Sequence, residues 1–591
     1  MSPRGTWVAR AVTGPGAATV AGPAVPADVA GAATAVVISA QRAPFVPVSQ
    51  EMLLKPSPDD WLMYSRTYDA QRFSSLRQIT KQNVGQLKEV FKKELPAGAY
   101  ESIPIVYRGV MYLLLPGNGG VRALDATTGA AMWEHHRASG QSRAKTIAIY
   151  DDMIFFTALD GFIVALDART GEVRWETSTG GGMVSGVIVV EGKVISGRSC
   201  APRRENCYIV AHDAKTGQEL WRFYTAAGST EPGGETWADA PDATRAASTW
   251  GLPGGFDPGR RLLYWGIANP TPNTRAERHG GKYDSSVPIS SPVDLYSNST
   301  VALNPDTGKL VWYYQHLPGD DWDEDYPHER TLFRTAVSPD PKFVKWINPD
   351  IKKGEQRDVA MMVGEGGGVF LLDRVNGQFL WASPFPFDAP NFLISNIDGK
   401  TGKVTINTDL ISTGPNERKV ICYWNTRSYW PTAFHPGLNA LYVPYVENCL
   451  DRTSPGPGGQ PRERRAGIPR EGADLNTWSG LMKINASTGE MTPMFKGRAP
   501  SNGAVLTTAG DVVFWGDLDQ KFRAFDAASG KVLWEQTLGG PVQNSTITYA
   551  VNGKQYVAVV SGSGALSGAL MDQASIKPNR SYNALYVYAL P

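Results

Sequence analysis

The sequence predicts an all-β chain folded as an eight-bladed β-propeller with tryptophan-docking repeats, and three observations carry that prediction. One short motif recurs seven times along 591 residues, Gly 62 and Pro 42 give too much punctuation for a helical protein, and the chain ends in an alternating strand. Lys+Arg 58 against Asp+Glu 57 leaves a formal net charge of +1, which argues against both a disordered chain and a polybasic nucleic-acid surface. Nucleic acid is therefore not an expected partner.

Residues 1–50 carry Arg4 and Arg10 and an Ala/Gly/Val-rich stretch broken by Pro15, Pro23 and Pro26, and read as an N-terminal leader or a disordered tail. Residues 51–591 read as one propeller domain. No run of about 18 apolar residues occurs, so no membrane span is expected. The motif appears as ALDATTGAAMW ending at Trp133, ALDARTGEVRW at Trp175, AHDAKTGQELW at Trp221, ALNPDTGKLVW at Trp312, LLDRVNGQFLW at Trp381 and AFDAASGKVLW at Trp534. KINASTGEMTP around Gly489 is a degenerate seventh copy without its tryptophan.

Each copy reads as strand, tight turn, strand, with the glycine where the turn needs a left-handed residue. Adjacent turn glycines lie 41 to 46 residues apart (Gly129, Gly171, Gly217; Gly489, Gly530), the length of a four-stranded blade. The tryptophans are expected to cover apolar area between neighbouring sheets, worth about 2–3 kcal/mol each. Seven copies give at least seven blades. The terminal NALYVYALP could complete an eighth by pairing near the N-terminus, or the long gaps from Gly217 to Gly308 and Gly377 to Gly489 could hold further blades.

Cys200, Cys207, Cys422 and Cys449 form two close pairs with no CxxC or CxxCH pattern, so two disulfides and an oxidising compartment are expected, with neither zinc nor attached c-type haem. One loop concentrates acid: PGDDWDEDYPHER, with Asp320, Asp321, Asp323, Glu324 and Asp325 following a repeat strand. Carboxylates this close repel unless a cation or proton sits among them, so the loop is either a metal or acid/base site or a solvated run. Asn269, before Pro270 in IANPTPN, offers a hard oxygen donor, although Asn-Pro alone is usually a turn.

The repeats, ESIP at 101–104, TALDG at 157–161, IANPTPN at 267–273 and GDDWDED at 319–325 together resemble the quinoprotein alcohol dehydrogenases. These are eight-bladed propellers that use pyrroloquinoline quinone (PQQ) and a metal ion. The resemblance runs from about residue 55 to the C-terminus, and the HD of AHDAKTG and the string GEGGGVFLLDR are similar to the branch acting on sorbose, polyvinyl alcohol and secondary alcohols. It implies hydride transfer from a primary or secondary alcohol or polyol to PQQ, with Asp323 as general base and Lys145 stabilising charge on the quinone oxygen. The cofactor contacts it implies are Glu101, Lys145, Thr157, Ser199, Cys200, Ala201, Ser248, Trp250 and Asn502. The implied metal ligands are Glu205, Asn269, Asp323 and Asp325, with Ca2+ as the ion and a lanthanide as the alternative.

Several departures qualify the resemblance. RASGQSRAK offers Ser139 and Gly140 where the family often has two adjacent cysteines over the quinone, and Lys145 stands where an arginine is usual. Pro202 falls at the usual metal-binding glutamate, so Glu205, presented by a Cys200–Cys207 disulfide, is the nearest substitute. Cys422 and Cys449 match a family disulfide. Tyr429, Trp430 and Asn502 are candidate pocket walls, and loss of an aromatic at Asn502 suggests a mouth wide enough for bulky secondary alcohols. Electrons are expected to leave to an external acceptor such as cytochrome c, in the periplasm. The alternative is a non-enzymatic propeller scaffold of envelope protein assembly, which has no reason to keep Glu101, Asn269 and Asp323 together.

Overall fold

The computed structural model describes residues 44–116, 120–137, 144–200, 203–280, 282–283, 287–424, 426–457, 463–500, 502–543 and 546–591, with the backbone of the strand Thr34–Val37. Among the described residues eight sheets of four or five strands follow one another along the chain, antiparallel throughout except where Phe73–Ser74 pairs parallel with Leu506–Thr508. The first is built from Ile105–Tyr107, Val110–Leu114, Val121–Asp125 and Ala131–His136, and the second from Ala148–Tyr150, Met153–Thr157, Phe162–Asp167 and Val173–Ser178. The third runs from Val187–Val190 to Glu219–Tyr224 and the fourth from Gly255–Asp257 to Leu310–Gln315. The remaining sheets begin at Thr331–Val337, Ala433–His435, Leu506–Thr508 and Ile547–Val551.

The long gaps between repeats are filled by insertions. The first carries a turn-rich excursion between Leu262–Gly266 and Ser299–Leu303, which are neighbours in one sheet. The second carries the hairpin Ile394–Ile397 with Val404–Ile406, and a three-stranded sheet of Arg418–Cys422, Asn448–Thr453 and Arg464–Pro469.

Three of the repeat tryptophans each contact the turn of the following repeat. Trp133 donates its indole N–H to the carbonyl of Ala168 at 3.0 Å, Trp175 to Ala214 at 3.0 Å and Trp221 to Pro305 at 2.9 Å, each time the turn of the following repeat. Gly171 is left-handed at φ +75°, and a Cβ there would stand 2.5 Å from Trp133 Cε3, so both backbone conformation and close packing require glycine. The degenerate copy changes this contact: beneath Gly530 lies the backbone of Met494. Phe91 does the same service at Gly129, its ring 2.6 Å from where a Cβ would be.

Phe91 belongs to Lys88–Leu95, which pairs antiparallel with the terminal strand Asn583–Ala589 in one sheet with Lys554–Ser561 and Ile547–Val551. The end of the chain thus pairs with a strand near its start, as the sequence suggested, and Lys88–Leu95 covers the edge of Asn583–Ala589. Tyr549 of this sheet donates to the carbonyl of Ala126 in the first repeat at 2.6 Å. Arg72, fully buried, ties a preceding segment inward through the carbonyls of Val505 at 2.7 Å, Tyr64 at 2.5 Å and Thr546.

The backbone of Thr34–Val37 adds a fifth strand to the first sheet, against Ala131–His136, so part of the expected leader or tail pairs with the domain. The rest of the expected tail up to residue 43 lies outside the described residues. Both expected disulfides form, Cys200–Cys207 and Cys422–Cys449, and no described cysteine is free. No described helix is long and apolar enough to cross a membrane.

Candidate active site

The acid loop leaves the strand Leu310–Gln315, and four of its five carboxylates divide into two pairs. Asp320, fully buried, folds the loop: its oxygens accept from the backbone N–H of Trp322 at 2.6 Å and Glu324 at 2.8 Å and from Asn298 Nδ2 at 2.9 Å. Burial still pushes its pKa up to about 6. Asp321 anchors the insertions, accepting from Arg452 at 2.9 Å and from the N–H of Arg275 at 2.7 Å. These two are structural.

The loop then turns sharply at Asp323, whose φ of 67° is left-handed, so that Asp323 and Asp325 both approach Asn269. Asn269 Nδ2 donates to Asp323 Oδ1 at 2.8 Å, and its backbone N–H donates to Asp325 Oδ1 at 2.8 Å. The second oxygen of Asp325 accepts the indole N–H of Trp250 at 2.9 Å. Burial, followed by the charge of Asp323, pushes the Asp325 pKa up to about 7. Asp323 is ion-paired to Arg465, which also donates to the carbonyl of Trp322 at 2.5 Å.

Across Trp250 lies a second buried group. Lys145 is ion-paired to Glu101, and its ammonium stands 4.2 Å from the centre of the Tyr429 ring and 5.8 Å from that of Trp250. Glu101 also accepts from Tyr429 OH at 2.9 Å and the N–H of Ala565 at 2.7 Å. His328 and Tyr429 meet Trp250 edge-on at 5.8 and 6.0 Å. One continuous chain of contacts thus runs from Asp323 through Asn269, Asp325 and Trp250 to Lys145 and Glu101.

The remaining expected residues are placed as follows. Thr157 Oγ1 donates to the carbonyl of Ser185 at 2.7 Å, and Ser248 Oγ to that of Arg198 at 3.4 Å. Asn502 is fully buried with neither amide atom hydrogen-bonded, and Ser199 Oγ is likewise buried without a partner. Trp430 is buried, packed edge-on against Tyr429 at 5.4 Å. Cys200 is in its disulfide. Ala201, Pro202, Ser139 and Gly140 lie outside the described residues.

Glu205 is not brought to the other expected metal ligands. It lies exposed on the one-turn helix Arg204–Asn206, which turns Arg204 inward instead, onto the carbonyl of Ala226 at 3.1 Å. Among the described residues no three His, Cys, Asp or Glu side chains stand ready around one point as a metal site.

Sequence reasoning missed two residues here. Arg465 comes from the inserted sheet, far from Asp323 in the chain, and nothing local marked it. Glu365 lies in the noted GEGGG string and is buried, its backbone N–H donating to the carbonyl of Asp325 at 3.0 Å. Burial and the charge of Asp325 raise its pKa well above the usual carboxylate value. The signal was an acid in a glycine-rich turn.

The residues present suit a flat anionic cofactor and a hard cation. An indole lies beside a buried cation, the buried Asn502 amide has unspent donors and acceptor, and the acids and Asn269 supply oxygen donors only. The family model "PQQ: Glucose/ethanol/alcohol dehydrogenase, beta-propeller domain" matches residues 61–384 and 475–557, and the chain belongs to this family of PQQ-dependent alcohol dehydrogenases. It is 30% identical over 592 residues to quinohemoprotein alcohol dehydrogenase ADH IIB of Pseudomonas putida, covering 90% of this chain and 77% of that protein. To ADH-IIG of the same species it is 29% identical over 575 residues, with 88% and 75% covered. A europium-containing methanol dehydrogenase superposes with a TM-score of 0.76 at 26% identity, covering 91% of this chain and 100% of that one.

Proposed function

We propose that this enzyme oxidises primary or secondary alcohols and polyols, bulky secondary alcohols included, to aldehydes or ketones, and passes the electrons to an external acceptor such as cytochrome c. The observation that carries the reading is the unbroken chain of contacts from Asp323 to Glu101. PQQ, when bound, supplies the hydride acceptor, and a Ca2+ or lanthanide ion the Lewis acid. Trp250, Lys145, Glu101, Thr157, Ser199, Ser248 and Asn502 are the residues assigned to hold the quinone, and Asn269, Asp323 and Asp325 to face the cation.

Asp323 takes the hydroxyl proton of the alcohol. Its side chain is 35% exposed, so substrate can reach it, while Asn269 and Arg465 fix both of its oxygens. Lys145 holds a buried positive charge beside the indole, where it would offset negative charge on a quinone held by Trp250. The eight sheets are assigned as eight blades docked through the repeat tryptophans, with residues 51–591 as one domain and the preceding residues as a leader or tail. Two disulfides support an oxidising, periplasmic location.

Reconstitution of the protein with PQQ and either Ca2+ or a lanthanide, following dye reduction, tests the reading. Dye reduction should require both components, and Asp323→Asn should abolish it while leaving quinone uptake largely intact. Full activity in that variant removes Asp323 from the chemistry. Comparing methanol, ethanol, sorbose and a multi-ring secondary alcohol tests the substrate class, and fastest turnover on methanol defeats the wide-pocket assignment.

A further inference from the structure

We infer that Glu365 is an acidic ligand of the site's cation, forming with Asp325 and Asn269 the donor set to which Glu205 does not contribute. This rests on the metal-assisted reading above and deepens it by naming the side chain that supplies the second carboxylate.

Most acids around the site have basic partners. Asp321 pairs with Arg452, Asp323 with Arg465, Glu329 with Arg427 and Glu101 with Lys145. Asp320 is satisfied by backbone N–H groups and Asn298. Asp325, Glu365 and Glu324 are 6%, 3% and 0% exposed, and among the described residues none of them forms an ion pair. These carboxylates form no ion pair of their own, and the nearby Arg465 is already paired to Asp323, which leaves an excess of negative charge that a bound cation neutralises.

Glu324 gives a second, independent indication. It is fully buried, yet neither carboxylate oxygen has a hydrogen-bond partner. Its Oε2 lies against the loop that carries Glu365, 2.9 Å from where a Cβ on Gly366 would stand. The glycine-rich loop is what allows this approach. Gly367 and Gly368 are both left-handed at φ 82°, and the Glu365 N–H bonded to the Asp325 carbonyl clamps the loop onto the acid loop. The Glu365 and Asp325 carboxylates are within hydrogen-bonding reach of each other, and the next residues are held by the Thr426 N–H on the Glu365 carbonyl at 2.8 Å. Two adjacent carboxylates with the Asn269 amide form an all-oxygen set, which selects a hard cation of charge two or three.

Trp250 makes the site measurable, because its indole N–H is bonded directly to Asp325 and will sensitise terbium luminescence from a bound Tb3+ ion. Titrating Tb3+ into full-length protein without quinone should give a saturable, tryptophan-excited signal. Glu365→Gln should raise the Tb3+ dissociation constant at least about tenfold, and Glu205→Gln should leave it unchanged. Glu365→Asp, which keeps the charge on a shorter arm, should weaken binding severalfold, and decides the matter alone if Glu365→Gln does not fold by circular dichroism. Competition by Ca2+ and by La3+ distinguishes a divalent from a trivalent occupant.

Wild-type Tb3+ affinity in the folded Glu365 variants, or loss of binding in Glu205→Gln instead, overturns the inference while the metal-assisted reading stands. A wild-type protein that binds no Tb3+, Ca2+ or La3+ overturns both. Quinone absorbance of the same samples then tells whether the redox assignment survives.

Discussion

Lys145 and Glu101 show how much of the site a single residue can control. The ammonium and carboxylate are both buried, with side chains 2% and 0% exposed, so each is the other's compensation for leaving water. Lys145→Met should therefore lower stability by about 3–5 kcal/mol in urea unfolding, and Lys145→Met combined with Glu101→Gln should recover much of the loss. A single variant as stable as wild type would show that the carboxylate finds another counter-charge. At this scale the sequence was most informative where residues lie in ordered motifs: Glu101, Trp250, Asn269, Asp323 and Asp325 do meet. It was least informative where a contact spans distant loops, as for Arg465, or where an adjacent disulfide decides which way a side chain faces. Glu205 was placed by proximity in the chain, but the turn at Arg204–Asn206 directs Arg204 inward and Glu205 to solvent.

The repeat is the element that was read most completely, because its signal is local: a turn glycine and a tryptophan at fixed spacing. Its physical content is the indole of one repeat lying on the turn of the next, so Trp133→Ala should cost about 3–5 kcal/mol. Gly171→Val should be at least as damaging, since it combines a left-handed backbone with a clash onto Trp133. Calorimetric melting of both variants measures this, and a Gly171→Val protein melting like wild type would refute the contact's importance. The inserted sheet was not legible, since its pairing of Arg418–Cys422 with Asn448–Thr453 depends on no repeat. Here the Cys422–Cys449 bridge spans a sequence separation of 27 residues and Cys200–Cys207 only 7. Loop-closure entropy predicts losses of about 3.5 and about 2.5 kcal/mol on replacing each pair by serine. Loss of the first should also reduce turnover, because Arg465 stands on the same sheet as that bridge.

For the molecule as a whole, buried histidines are one source of acid sensitivity, opposed by buried carboxylates such as Asp320 whose pKa burial raises. Burial pulls the His212 pKa from 6.5 down to about 4, and burial together with nearby Arg330 holds His316 well below its ordinary value. Between 6.5 and 4 His212 binds a proton in the unfolded chain that it lacks in the folded one, so its contribution to stability is fully present above pH 6.5 and falls as the pH drops towards 4. His212 alone accounts for on the order of 3 kcal/mol of that loss. Urea unfolding at neutral pH and at about pH 5 should show the decline, and His212→Gln should flatten it; an unchanged slope would assign the acid sensitivity elsewhere.

The pairing of Lys88–Leu95 with Asn583–Ala589 has a consequence for biosynthesis. A ribosome delivers the first of these strands almost five hundred residues before its mate, so the nascent polypeptide carries an unmatched ribbon throughout elongation. Closure of this sheet therefore waits for the synthesis of Asn583–Ala589. Any holding factor that escorts the unfinished chain has that ribbon to shield.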